Sequence, residues 1–81
     1  MNIERAAMKG RLAEAEQEQR RLILKGEGLA AAIRQGLNTH LTPFAEMEIP
    51  QIAQQMDDLV MTWAELAKVQ GDIARLQREL K

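Results

Sequence analysis

An apolar stripe with the spacing of a coiled coil runs through the C-terminal part of the chain and limits what it can fold into. Its members are separated by gaps that alternate strictly between four and three residues: Ile52, Met56, Leu59, Trp63, Leu66, Gln70, Ile73, Gln77 and Leu80. A repeat of about 3.5 residues keeps one stripe of a helix against a partner helix. The sequence therefore predicts a helix over residues 50–80 that packs lengthwise against another helix.

A second stripe with the same spacing predicts a helix over residues 2–37, with Asn2 as its candidate N-cap. This stripe consists of Met8, Leu12, Ala15, Gln19, Leu22, Gly26, Leu29 and Ile33. Gly26 and Gly28 each lower helix propensity by roughly 1 kcal/mol relative to Ala, so a kink or local break is expected around them. A separate short helix beginning at Leu29 is the alternative, but the unbroken spacing favours one continuous helix.

Residues 38–49 are predicted to connect the two helices. Gly36 or Asn38 is suited to end the first helix in a left-handed conformation. Pro50 is suited to the first turn of the second helix, because an N–H group at that position has no partner within the helix.

The middle of the connection is predicted to be ordered. Thr42 precedes Pro43 and is therefore expected to be extended. Residues 43–46 are expected to form one short helical turn. We expect Leu41 and Phe44 to pack back over the open end of the helix pair.

The two stripes match each other when the helices run antiparallel. Pairing residues whose numbers sum to 85 sets Leu22 opposite Trp63 and Gly26 opposite Leu59. The chain, residues 1–81, is therefore predicted to be a single all-α domain, an antiparallel two-helix coiled-coil hairpin. The predicted helix–helix seam consists of Leu12, Leu22, Leu29, Ile33, Ile52, Met56, Leu59, Trp63, Leu66 and Ile73.

Small apolar residues lie beside this seam on both helices and form a predicted oligomer face. The face consists of Ile23, Ala30, Leu37, Ala53, Val60, Ala67 and Ala74. Three apolar positions in each heptad are typical of a helical bundle and exceed what a two-stranded coil needs. We therefore expect the hairpin to form a homodimer, a four-helix bundle, through this face. A different protein is the alternative partner.

The sequence indicates no catalytic, metal or cofactor site. The chain has no Cys and a single His, so thiolate metal sites and disulfides are excluded, and His40 has no second ligand at a suitable spacing. Its carboxylates, such as Asp57 and Asp58, lie on helices that offer no pocket to shift their pKa values. We expect a protein that is not an enzyme.

A basic cluster of Arg20, Arg21 and Lys25 supports a weaker, alternative hypothesis, a small regulator or DNA-associated factor that contacts phosphates. The net charge of −1 and the lack of interleaved aromatic residues disfavour nucleic-acid binding. No apolar run is long enough to span a membrane, and the N-terminus lacks the features of a signal peptide. We expect a cytoplasmic protein without membrane contacts.

Several short segments resemble small helical proteins encoded in Mu-like bacteriophages and prophages. They are Leu41-Thr42-Pro43-Phe44, Met56-Asp57-Asp58-Leu59, Trp63-Ala64-Glu65-Leu66-Ala67 and the C-terminal Ile73-Ala74-Arg75-Leu76-Gln77-Arg78-Glu79-Leu80. The resemblance covers roughly residues 29–80. It implies a phage or prophage origin in a bacterial host cell, but no particular activity.

Overall fold

A computed structural model describes residues 3–81 as two long α-helices and no strands. Helix α1 spans Ile3–Gly36, helix α2 spans Ile49–Leu80, and a 3₁₀ turn at Phe44–Glu46 lies between them. The molecule measures 65 × 16 × 15 Å, as expected for two helices lying side by side. Arg5, near the start of α1, donates a hydrogen bond of 2.7 Å to the carbonyl oxygen of Leu80. The predicted helical hairpin is confirmed, whereas the Asn2 cap lies outside the described residues.

Helix α1 continues without interruption through Gly26 and Gly28. The alternative of a separate helix from Leu29 is therefore wrong. The loss of helix propensity at two glycines, about 2 kcal/mol in total, is offset by packing against α2. Leu22 is the most buried residue of the chain, with 1% of its surface exposed. A fully buried leucine contributes roughly 1.5–3 kcal/mol.

Asn38 organises the start of the connection. Its carbonyl oxygen accepts hydrogen bonds of 3.1 Å from the backbone N–H groups of Leu41 and Thr42. Its side-chain Oδ1 accepts a bond of 2.9 Å from the N–H of His40, which closes a local turn. None of the residues from 3 to 81 has a positive φ, so the predicted left-handed end at Gly36 or Asn38 is wrong.

The middle of the connection forms the predicted short turn but does not cover the helix pair. The N–H of Glu46 donates to the carbonyl oxygen of Pro43 at 3.0 Å, which closes the 3₁₀ turn. Leu41 is 68% exposed and Phe44 is 76% exposed, so the prediction that they pack inward is wrong. The backbone bonds of this segment are local, and half-buried Met47 lines a cavity together with Gly36 and Ile52.

The register of the helix pair differs from the predicted one by three residues. A Cβ atom placed on Gly36 lies 3.0 Å from Cδ1 of Ile52, and one placed on Gly26 lies 3.8 Å from Cγ2 of Thr62. The residue numbers of both pairs sum to 88, whereas the sequence analysis predicted 85. The helices are thus displaced by about 4.5 Å from the predicted alignment. As a result, Gly26 faces Thr62 and not Leu59.

Helix α2 also presents a different side to α1 than predicted. Its contact stripe has the same alternating spacing: Ile52, Gln55, Leu59, Thr62, Leu66, Val69, Ile73, Leu76 and Leu80, all buried or half-buried. Met56 and Trp63, predicted in the seam, are 48% and 70% exposed. The observed stripe buries Val69 and Leu76, where the predicted stripe would bury Gln70 and Gln77. Its polar residue Thr62 is small, and its hydroxyl is bonded to the backbone.

On α1, by contrast, the eight residues of the predicted stripe are each buried or half-buried. The α1 contact stripe therefore runs from Met8 to Ile33 and ends against Ile52 at Gly36. The difference between prediction and structure lies in the rotation of α2 and in its axial position.

We predict that cysteines at Gly26 and Thr62 form an intrachain disulfide under mild oxidation. The atoms at these positions are in van der Waals contact, and the chain has no native cysteine to compete. The matched control combines cysteines at Gly26 and Leu59, the pair opposed in the 85 register. Faster oxidation of the control pair, followed on non-reducing gels, would contradict the observed register.

Two glycine substitutions on α1 should differ in their effect on stability. Gly28→Ala adds a methyl group that meets nothing within 4 Å, so it should stabilise the fold by about 0.5–1 kcal/mol through helix propensity. Gly36→Ala should give no such gain, since its methyl group would crowd Ile52. Urea unfolding at one fixed protein concentration measures both. An equal gain at the two positions would show that the Gly36 contact is not tight.

We predict that Phe44→Ala changes the free energy of unfolding by less than about 0.5 kcal/mol, because the ring is exposed. Leu22→Ala is the reference for a buried side chain and should cost about 2–5 kcal/mol. Thermal unfolding of both variants is the measurement. A loss of several kcal/mol at Phe44 would mean that the ring packs against the helix ends.

Candidate functional site

One long side of the hairpin is apolar and exposed. It contains the predicted oligomer face, together with the two residues that were expected in the seam. We call this set the apolar face: Ile23, Ala30, Leu37, Ala53, Met56, Val60, Trp63, Ala67 and Ala74, all of them exposed. Ile23 and Trp63 line the same cavity between the helices, which places the contributions of α1 and α2 on one side.

Helix α2 carries a complete second stripe within this face. Beginning at Ala53, its residues recur at alternating gaps of three and four: Ala53, Met56, Val60, Trp63, Ala67, Gln70, Ala74 and Gln77. All eight are exposed, and six of them are apolar. We call it the exposed stripe. Since the contact stripe already faces α1, α2 has the pattern of a helix that packs against two neighbours.

Two shallow cavities interrupt the apolar face on either side of Trp63. One has a volume of about 220 Å³ and lies over Gly26, between Leu22 and Leu66. The other has a volume of about 290 Å³ and is lined by Met56, Leu59, Val60 and Trp63. Both are lined almost entirely by apolar atoms, so water in them gains few hydrogen bonds and apolar side chains would displace it favourably.

The cavity over Gly26 depends on the small residues beneath it. Gly26 has no side chain, and the Thr62 methyl group is the nearest side-chain atom. Thr62 is a polar residue with only 3% of its surface exposed, but its hydroxyl donates a hydrogen bond of 2.8 Å to the carbonyl oxygen of Asp58. This bond satisfies the hydroxyl, so that a threonine can occupy the contact stripe without an unpaired polar group.

The opposite long side of the hairpin is charged. It contains Glu18 and Lys25 on α1 and Asp58, Glu65 and Asp72 on α2, each of which directly precedes a contact residue. Such residues lie on one side of an antiparallel pair, and those that follow the contact residues lie on the other. The apolar residues therefore lie together on one side, which is apolar along α2 and interrupted on α1 by Arg20, Glu27 and Arg34. The apolar face is the candidate functional site.

The basic cluster is partly neutralised by its neighbours. Arg21 donates hydrogen bonds of 2.9 and 2.5 Å to the two carboxylate oxygens of Glu18. These bonds hold the pKa of Glu18 below its ordinary value, although desolvation opposes the shift and the charge of Lys25 adds to it. The same bonds raise the pKa of Arg21, and Glu65 on α2 contributes. Arg20, Arg21 and Lys25 are all exposed, and two of the three guanidinium nitrogens of Arg21 bond Glu18.

Residues 3–81 contain no group of three or more His, Cys, Asp or Glu that could hold a metal ion. His40 is exposed in the connection, and Asp57 is exposed on α2. Within the same range, neither helix is both long and apolar enough to cross a membrane.

Met56 and Trp63 are the residues of the site that sequence analysis assigned elsewhere. The predicted and observed α2 stripes share Ile52, Leu59, Leu66, Ile73 and Leu80, and each contains seven apolar residues out of nine. Counting apolar residues therefore does not distinguish them. The stripes differ in their polar residues, which are Gln70 and Gln77 in the predicted stripe and Gln55 and Thr62 in the observed one. The hydroxyl of Thr62 is satisfied by the carbonyl oxygen of Asp58.

Comparison with protein-family models, curated proteins and solved structures finds no match to this chain. The apolar face therefore has to be interpreted from its own geometry and from the chemistry of its side chains.

Proposed function

We propose that this chain is a non-enzymatic helical assembly protein that acts by self-association through its apolar face. The product is a homodimer in which two hairpins form a four-helix bundle. The observation that carries the proposal is the exposed stripe of α2, because a second coiled-coil pattern on one helix calls for a second helix against it.

The large accessible surface area of the hairpin supports the association of two copies. Its accessible surface is 6335 Å², whereas a compact monomer with a mass of 9.2 kDa exposes about 4,900 Å². The excess of about 1,400 Å² is larger than the roughly 800 Å² that each partner buries in a standard interface. A second hairpin along the apolar face can remove much of this excess from water.

The small hydrophobic core of the hairpin also supports self-association. Within residues 3–81, the buried apolar side chains are Leu22, Ile52, Ile73 and Leu76. A single core in a chain of this size supplies at most a few kcal/mol, and small domains commonly make up the deficit by oligomerising. Self-association would therefore contribute to folding as well as to function.

A cellular context follows from the sequence resemblance. The segments around Pro43–Phe44 and Trp63–Ala67 resemble small helical proteins of Mu-like phages and prophages. We propose accordingly that the chain is phage or prophage encoded and acts in the cytoplasm of a bacterial host. Another phage or host protein on the apolar face is the alternative to a second copy.

The regulator hypothesis has less support from the structure. Arg21 is paired with Glu18, and the chain as a whole has a net charge of −1. Binding to duplex DNA that falls steeply with added salt, and that is lost in a double variant with glutamine at Arg20 and Lys25, would favour it over the assembly role.

We predict that Val60→Glu dissociates the dimer. The side chain is 53% exposed in the hairpin, so the substitution leaves the α1–α2 contact intact, but it would bury a carboxylate in the interface. The dimer should weaken by roughly 100-fold, and thermal stability should fall with it. Sedimentation at micromolar concentration measures the association state of variant and wild type.

Met61→Glu is the matched control for this experiment. Met61 is next to Val60 and 62% exposed, but it belongs to neither stripe of α2. The control should remain dimeric. Equal dissociation of both variants would place the interface elsewhere on α2, and a wild-type chain that sediments as a folded monomer would refute self-association.

A further inference from the structure

We propose that the two copies pack α2 against α2 in antiparallel orientation, about a two-fold axis that crosses α2 between Met61 and Thr62. The inference rests on the proposed self-association and adds its geometry. In this arrangement, residues of the two α2 helices lie opposite each other when their numbers sum to 123. Trp63 of each copy is then inserted into the cavity beside Trp63 of the other.

The cavity lined by Met56, Leu59, Val60 and Trp63 has the form of a coiled-coil hole. Its residues have the spacing i, i+3, i+4 and i+7, which is the set of four that surrounds a knob from a facing helix. Trp63 projects beside this hole and is 70% exposed, so it is a knob without a hole in the isolated hairpin. A knob and a hole next to each other on one surface are self-complementary about a two-fold axis.

Side-chain sizes along the exposed stripe agree with this register. In this register the exposed stripe of α2 also includes Ile49, which lies at the start of the helix and is 41% exposed. The opposed pairs are Ile49 with Ala74, Ala53 with Gln70, Met56 with Ala67, and Val60 with Trp63. Two of the larger side chains thus lie opposite alanines. Such pairing of large with small residues lets helices approach closely without leaving cavities.

Charge disfavours the neighbouring register in which the opposed residue numbers sum to 116. That register sets Asp57 of one copy beside Asp57 of the other, close to the axis. In the proposed register, Asp57 lies near Ala64 and Gly71 of the second copy, so no two carboxylates of α2 meet. Two like charges at short range in a partly desolvated interface oppose association.

Polarity disfavours the register in the other direction, in which the numbers sum to 130. It places Gln70 opposite Val60 and Lys81 opposite Ile49. In the proposed register, a single pair of the four, Ala53 with Gln70, contains a polar residue. The proposed alignment therefore sets more apolar side chains against each other than this register does.

The contacts between α1 and α2 fix where the proposed two-fold axis passes α1. Since Gly26 lies against Thr62, the axis passes α1 between Gly26 and Glu27. Ile23 then faces Ala30 of the second copy, another pairing of a large with a small residue. The outward positions of α1 include Arg20, Glu27 and Arg34, and Glu27 of both copies lies beside the axis. The α2 helices therefore supply the apolar contact, and the α1 helices form a polar border that stays open to solvent.

Intermolecular disulfides test the register. Cysteines at Met56 and Ala67 are 11 positions apart on one helix, about 16 Å, which is too far for an intrachain bond. In the proposed dimer they meet across the axis, so mild oxidation should give a covalent dimer on a non-reducing gel. The control combines Met56 with Ala74, the pair opposed in the 130 register. Cross-linking of the control at an equal or higher rate would overturn the inference.

The single tryptophan of the chain provides a second measurement. Raising the protein concentration through the dimerisation range should shift Trp63 emission to the blue and protect the indole from iodide. Trp63→Ala should weaken the dimer by at least about 30-fold, as expected for a central aromatic residue in an interface. Met61→Ala should leave it unchanged, and both variants should keep the helicity of the hairpin.

The outcomes separate the inference from the proposed function. A wild-type monomer whose indole stays open to iodide at every concentration overturns both. A wild-type dimer with an exposed indole, or with no cross-link between Met56 and Ala67, overturns the Trp63 geometry and leaves self-association standing.

Discussion

The rotation of α2 against α1, which sets Thr62 against Gly26 and Ile52 against Gly36, decides which side chains the hairpin buries. Five residues of α2, spaced seven apart from Ile52 to Leu80, face α1 both in the predicted rotation of α2 and in the observed one. The two rotations differ in which neighbouring residues complete the stripe. The observed rotation uses Gln55, Thr62, Val69 and Leu76. It lets the helices approach closely at the glycines, and it gains Val69 and Leu76 where the other rotation would bury two glutamines.

That rotation leaves Met56 and Trp63 exposed, which is unfavourable in water for an isolated hairpin. An exposed tryptophan next to apolar cavities is an uncommon surface in a monomer, and it is the kind of feature that marks an interaction site. The register and the apolar face thus have a common cause. The small residues that bring the helices together also turn the largest side chain of α2 outward.

Much of the fold could be predicted from periodicity alone. The two helices, the antiparallel hairpin and the continuity of α1 past its glycines follow from the alternating spacing of residues such as Leu12, Leu22 and Leu29. The rotation of α2 could not be predicted in that way, because the stripes through Trp63 and through Thr62 contain equal numbers of apolar residues. The positions of the polar residues and their hydrogen bonds distinguish the two stripes, and these bonds become visible only in the packed structure. The exposure of Phe44 was missed for a similar reason, since the pattern of the connection does not reveal that nothing lies over it.

The arrangement of charge around the hairpin bears on how large the proposed assembly can become. The side that carries Glu18, Lys25, Asp58, Glu65 and Asp72 holds charged groups of both signs, and burying it against another copy would require those groups to lose water. A head-to-tail contact between different surfaces could add further copies without limit. A contact about a two-fold axis instead uses the same apolar face on both hairpins and leaves none exposed. The proposed assembly therefore stops at four helices, with charged sides turned to solvent.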